Sequence, residues 1–260
     1  MGRQDLTIKE STIFHYKITL SLGGKKITDH EPIKSDVAVS SNDDSPEQKE
    51  SKVSTEHQDA VKELNNLAAL YQSQGKYSDA EPLYLRSLEM RESTLGPDHP
   101  SVATSLIDLA GLYQVQGKYS VVEPLYLRAL EITEKTLGLE NPSFATILNS
   151  LAVIYKAQGK YSDAEPLYLR SLEIRETVLG PEHPDVVASL RSLAGLYHNQ
   201  GKHLKAKELY IKAITIIDKN KSEGHPDSLK CFENYALLLE KMGRKREAVK
   251  MRNRVKRTRL

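Results

Sequence analysis

Apolar residues follow two regimes along this chain. From Phe14 to Leu22 they alternate strictly with polar ones, Phe14, Tyr16, Ile18, Leu20 and Leu22 against His15, Lys17, Thr19 and Ser21. That is the period of a strand with one buried face. Gly23-Gly24, followed by Lys25 to Thr28, suits a tight turn and a short return strand. An isolated hairpin is marginal in water, so residues 1–34 read either as a weakly ordered β-hairpin or as a disordered tail. Residues 35–56 include SSNDDSPEQKESK and hold few large apolar groups. They cannot bury enough surface to offset the entropy of ordering, and a flexible polar linker is expected there.

From His57 the spacing changes to three and four. Leu64, Leu67, Ala68 and Tyr71 mark one face of a helix that stops at Gln74-Gly75, where glycine can take the left-handed conformation that ends helices. A second helix follows, with Ala80, Leu83, Tyr84, Ser87 and Leu88 on its apolar and small face. Ser78 with Glu81 reads as an S-x-x-E capping box, and the pair recurs at Ser120/Glu123 and Ser162/Glu165. Pro82, Pro124 and Pro166 are expected in the first turn of that helix, where little of the hydrogen-bond ladder is lost.

The stretch Gly75 to Pro100 returns from Gly159 to Pro184 with four changes in 26 residues, and Gly75, Gly117, Gly159, Gly201 and Gly243 fall 42 residues apart. In the connector LGPDHP and its variants, the proline reads as the first residue of the next helix, with His99, Asn141, His183 and His225 as caps. The chain therefore reads as an all-α solenoid of five helix pairs, units 57–98, 99–140, 141–182, 183–224 and 225–260. Tyr71, Tyr113, Tyr155 and Tyr197 share one repeat position, and Tyr84, Tyr126, Tyr168 and Tyr210 share another. Repetition assigns both rows to packing between units.

Composition removes several functions. No apolar run approaches the roughly 18 to 20 residues of a membrane span, and residues 1–20 mix charge into their only apolar part, unlike a secretory signal. The single Cys231 suits a reducing compartment, so a cytoplasmic location is expected. Histidines at repeat spacing sit on separate units, roughly 10 Å or more apart, too far to share one zinc. There is no GxSxG, P-loop, CxxC or HExxH, so neither catalysis, a cofactor, a bound metal nor a small-molecule substrate is expected. The net charge is +2, but residues 244–260 carry nine Lys or Arg against Glu247, leaving residues 1–243 at −6. Ala248, Met251 and Val255 form a narrow stripe on that last helix, with its basic residues outward as a solubilising cap.

Leu-Ala-x-x-Tyr before Gln-Gly-Lys-Tyr, then Ala80 and Leu83-Tyr84, resembles the tetratricopeptide repeat. The 42-residue version with its LGPDHP connector is similar to the repeats of kinesin light chains and nephrocystin-3. The resemblance implies a right-handed superhelix whose first helices line a concave peptide-binding face. On these positions the groove residues are Lys62, Asn65 and Asn66; Asp108; Asn149 and Lys156; Arg191, His198 and Asn199; and Glu233, Asn234 and Lys241. Asn66 and Asn234, each four residues after a lysine, resemble the asparagine that clamps peptide backbone or a terminal carboxylate in chaperone-binding relatives. Asp108, Ser150 and Ser192 stand there in the intervening units. Three readings follow: a protein-interaction scaffold holding a peptide or helix in the groove, attachment to nucleic acid or anionic membrane through the basic last helix, and a kinesin-light-chain-like cargo adaptor.

Overall fold

The structure, a computed structural model, describes residues 46–258, with side chains from His57 onward. The alternating stretch at residues 14–22 lies outside the described residues. Ten helices fill the described chain: α1 (Pro46–Ser73), α2 (Tyr77–Leu95), α3 (Pro100–Val115), α4 (Tyr119–Leu137), α5 (Pro142–Ala157), α6 (Tyr161–Leu179), α7 (Pro184–Asn199), α8 (His203–Asn220), α9 (Pro226–Lys241) and α10 (Lys245–Thr258). Each packs against its neighbour in sequence, so the all-α solenoid stands. The first helix differs from expectation in starting at Pro46, inside the stretch read as linker. Glu, Gln and Lys there are good helix formers, and Pro46 at the first position is pre-set for a helical φ.

The turn after each first helix has one repeated geometry. Gly75, Gly117, Gly159, Gly201 and Gly243 hold φ between 71° and 76°, and the next backbone N–H reaches back to the carbonyl of Tyr71, Tyr113, Tyr155, Tyr197 or Leu239 at 2.8–3.0 Å. A side chain with a Cβ resists that φ, which is why glycine recurs. At the other junction His99, His183 and His225 accept through Nδ1 from the N–H two residues on, at 3.1–3.2 Å. Asn141 does the same through Oδ1 at 2.8 Å. A proline opens each of those helices, as the connector predicts.

Two local expectations are corrected. Ser78, Ser120 and Ser162 do not cap, because each second helix begins two residues earlier than such a cap would set it and its capping position is Lys76, Lys118 or Lys160, with no side-chain cap bond. The glutamates of the supposed boxes point to the next unit instead: Tyr113 donates to Glu81 at 2.8 Å, Tyr155 to Glu123 at 3.0 Å and Tyr197 to Glu165 at 2.9 Å. Pro82, Pro124 and Pro166 are the sixth helical residues, in the second turn. Each removes one ladder bond, to the carbonyl of Ser78, Ser120 or Ser162.

Packing rests on small residues. Ala68, Ala110, Ala152, Ala194 and Ala236 on the first helices are fully buried, as are Ala80, Ala164, Ala206 and Ala248 on the second. Four second-helix tyrosines fill the junctions, Tyr168 and Tyr210 with no exposure at all. At α10, Ala248 and Val255 are buried, and the Arg254 guanidinium sits 4.2 Å over the Phe232 ring. The other end differs. Leu112, Ile154, Leu196 and Leu238 are wholly buried against the preceding second helix, whereas their equivalent Leu70, with no such helix among the described residues, is 52% exposed.

Two outcomes follow. His183→Asn should keep stability, while His183→Ala should lose about 1 kcal/mol, measured by urea denaturation. Burial, and then the bond to a glutamate, pushes the Tyr113 and Tyr197 hydroxyls up to about 12. Both phenols stay neutral in the folded state and ionise near pH 10 when unfolded. Their contribution is therefore complete below about pH 10 and is lost as pH rises toward 12. Tyrosinate absorbance followed together with helicity should show unfolding in that window, and Tyr113→Phe with Tyr197→Phe should lessen the loss.

Candidate functional site

The first helices stand closer together than the second ones. Adjacent first helices touch directly, α5 with α7 and α7 with α9, and no comparable contact joins successive second helices. A stack packed more tightly on one side bends toward it, so α5, α7 and α9 lie on the inner side of the curve, and α1 and α3 hold the same place in their own units.

The groove residues expected from the sequence all sit on these five helices. Lys62, Asn66, Asn199 and Lys241 are exposed, and the other eight are half-buried. Asn66 and Asn234 fall on the first and last of the five helices, so they cannot grip one chemical group together. Asp108 lies near Arg91. Burial raises its carboxyl pKa, and the guanidinium opposes that shift. Arg91 itself is spent on structure, donating to the Ser101 carbonyl at 3.0 Å and to Ser105 Oγ at 2.7 Å. His198 packs edge-on against His203, ring centroids 5.6 Å apart. Burial first, then His203 and Lys241, holds its imidazole below the usual range. The carboxamide oxygens of Asn65 and Asn149 are buried with no hydrogen-bond partner within the protein.

Lys156 and Arg191 do come together. Burial lowers the lysine pKa first, and the facing guanidinium lowers it further. Arg191 reaches Asp227 at 3.1 Å through one terminal nitrogen, while its buried Nε has no partner in the protein. Beneath them Tyr168 is fully buried with an unpartnered hydroxyl. Its equivalents in the first two units are satisfied: Tyr84 donates to Gln72 at 3.0 Å and Tyr126 to Gln114 at 3.2 Å. In the third unit that glutamine is Lys156, which has no acceptor to offer. Sequence reasoning placed Tyr168 only as packing and missed Asp227. The signal for Tyr168 was the change along the row from Gln72 and Gln114 to Lys156, whereas Asp227 lies 36 residues beyond Arg191 with no repeat to mark it.

The basic last helix is less open than its composition suggests. Arg244 pairs with Glu247 at 2.6 Å, Arg252 with Glu240 at 2.9 Å, and Arg254 with Asp218 and Glu223. The cap role accounts for His99, His183 and His225.

The geometry defines a helical-repeat solenoid with an inner face of unlike polar residues. Comparison makes this specific: the tetratricopeptide repeat family matches residues 61–135, 143–219 and 187–257, and the chain belongs to that family. Its repeats are similar to those of kinesin light chain-like proteins. The TPR-like repeats of a kinesin light chain candidate from Podosopora anserina share 29% identity, over 76% of this chain and 94% of that one, with a TM-score of 0.62. BtubC (BKLC) from P. vanneervenii shares 26% identity over 83% and 92% of the two chains, with a TM-score of 0.66. Pseudomonas aeruginosa pilF, at 18% identity, 78% coverage of each chain and a TM-score of 0.56, shares the fold. No curated protein sequence matches the chain. No helix among the described residues is long and apolar enough to cross a membrane.

The Tyr168 geometry gives a stability test. Lys156→Gln restores the acceptor used in the first two units and removes a cation facing Arg191. It should stabilise by about 1 kcal/mol, or a rise in Tm of about 2–4 °C, read by thermal denaturation.

Proposed function

We propose that the protein is a non-enzymatic interaction scaffold that holds a peptide or a helix of another protein against its inner face. One observation carries this reading. Residues that build the array repeat from unit to unit, whereas the polar residues of the inner face do not. At one position the five helices carry Asn65, Ile107, Asn149, Arg191 and Glu233, and at the next Asn66, Asp108, Ser150, Ser192 and Asn234. Packing alone would not require that variety, and along the first of these rows a ligand laid across the units would meet a different group at each step. Kinesin light chain-type relatives support a protein partner in general terms, and cargo attachment is one form such a partnership takes. A cytoplasmic setting fits the unpaired, buried Cys231.

The test is affinity capture from the native cell with mass spectrometry, comparing the unaltered chain with a variant carrying Asn66→Ala, Arg191→Ala and Asn234→Ala. Loss of the captured partner at unchanged helicity is the expected result. Undiminished capture would remove the groove from consideration.

A further inference from the structure

The two ends of the described stack are finished differently. At α10 the exposed residues are mostly basic or polar, which suits the last member of an array. At α1 Leu67 is 41% exposed and Leu70 52%, whereas their counterparts one unit on, Leu109 and Leu112, are 3% and 0% exposed against α2. An uncovered apolar pair at the end of an array is a surface that another helix can cover.

The polar part of that surface is also present. Between the first and second units, Glu81 of α2 accepts from the Tyr113 hydroxyl at 2.8 Å and pairs with Lys118 at 3.7 Å. Glu92, eleven residues and about three helical turns further on, pairs with Arg128 at 2.6 Å. Between the third and fourth units, Glu165 of α6 meets Tyr197 at 2.9 Å and Lys202 at 3.5 Å, and Glu176 meets Lys212 at 2.5 Å. The first unit carries matching donors at the same repeat positions, Tyr71, Lys76 and Arg86. Lys76 stands over the Tyr71 ring at 5.7 Å, as Lys118 stands over Tyr113 at 5.1 Å. Arg86 turns instead to Glu89 on its own helix, with both side chains well exposed. No second helix precedes α1 among the described residues, so these donors stand without the two acids.

Continuity with the filled junctions defines what fits. The occupant needs the face that α2 and α6 turn to the next unit. A second copy of this chain does not supply it end to end, because on α10 Val249 stands at the position of Glu81 and Lys256 at that of Leu88. Such a stack would offer Tyr71 no acid and would bring a lysine to an apolar junction, at a desolvation cost.

We infer that the α1 end of the stack is a docking surface for an amphipathic helix of another protein. That helix carries an Asp or Glu facing Tyr71 and Lys76, an apolar stripe over Leu67 and Leu70, and a second acid eleven residues later facing Arg86. The surface lies at the end of the stack rather than along the groove, and its occupancy does not depend on the groove.

The probe is the α6 sequence, residues 161–179, as a fluorescent peptide blocked at both ends, with a scrambled form as control. Fluorescence anisotropy against the full chain should show binding of the α6 peptide and none of the scrambled one. Leu70→Asp should abolish that binding, and Arg86→Gln should weaken it about threefold. Changing the peptide's second acid, Glu176→Gln, should weaken it equally and add nothing against Arg86→Gln protein. Leu169→Asp, on an exposed site of α6, and Arg191→Ala with Asn234→Ala, on the inner face, should leave it unchanged. Leu70 and Arg86 are exposed, so their variants keep the fold, which circular dichroism checks. Absence of binding, indifference to Leu70→Asp, or equal loss in either control variant overturns the docking surface. A photoreactive benzoylphenylalanine in place of Leu70 reports the occupant: a crosslink to the α6 peptide is expected, whereas crosslinks only within the chain or to a second copy overturn the proposal.

Discussion

Close approach of helices is the constraint on which everything else here depends. The first and second helices meet at small residues with no solvent exposure, Ala68 and Ala80 in the first unit and Ala236 and Ala248 in the last, with Val122 as the largest member of the row. A side chain bulkier than these would push the pair apart, and the displacement would pass to every later unit because each is set against the one before it. The turn glycines, the histidine caps and the tyrosine–glutamate bonds all serve that spacing. They fix where each helix starts and stops, so that the small residues meet.

Those bonds also tie the scaffold to its inner face. Glu81, Glu123 and Glu165 each accept from a tyrosine 32 residues later, and Lys118 and Lys202 join the same groups, lying 5.1 and 5.3 Å from the tyrosine ring centres. The last junction lacks this set, with Lys207 and Leu239 at the matching positions. There Arg254, stacked on Phe232 and paired with Asp218 and Glu223, holds the final helix instead. Three of the nine basic residues at that end, Arg244, Arg252 and Arg254, are therefore held in ion pairs.

The fold was legible because its causes repeat. The glycine that ends a helix recurs five times and the cap before the next helix four times, and the single exchange of histidine for Asn141 kept the same hydrogen bond. Legibility failed where a short pattern had two physical outcomes. S-x-x-E matches a capping box, yet helix entry two residues earlier sends the glutamate to another unit, and nothing within four residues reveals it. The start of α1 was missed because the linker argument weighed buried area alone, while Glu, Gln and Lys can extend an existing helix without burial. At the inner face, the change from Gln114 to Lys156 was visible in the chain. Its meaning was not, because that depends on Tyr168 and Arg191, which only packing brings to the same place.

The arginines at the unit junctions have a consequence for how the units find one another. Arg91 meets Ser105, and Arg175 meets Ser189 and Thr146. At the equivalent places Thr133 bonds within its own helix and faces the Ile147 position, and Ile217 stands at the Cys231 position. Polar and apolar junctions thus alternate along the chain. A helix pair that docked one unit out of step would bring an arginine to a hydrocarbon partner, whereas a slip of two units would match. The alternation gives a nearly periodic chain a parity check: in assembly it behaves as a lattice of 84 residues, and half of its single-step misalignments carry a buried, uncompensated charge.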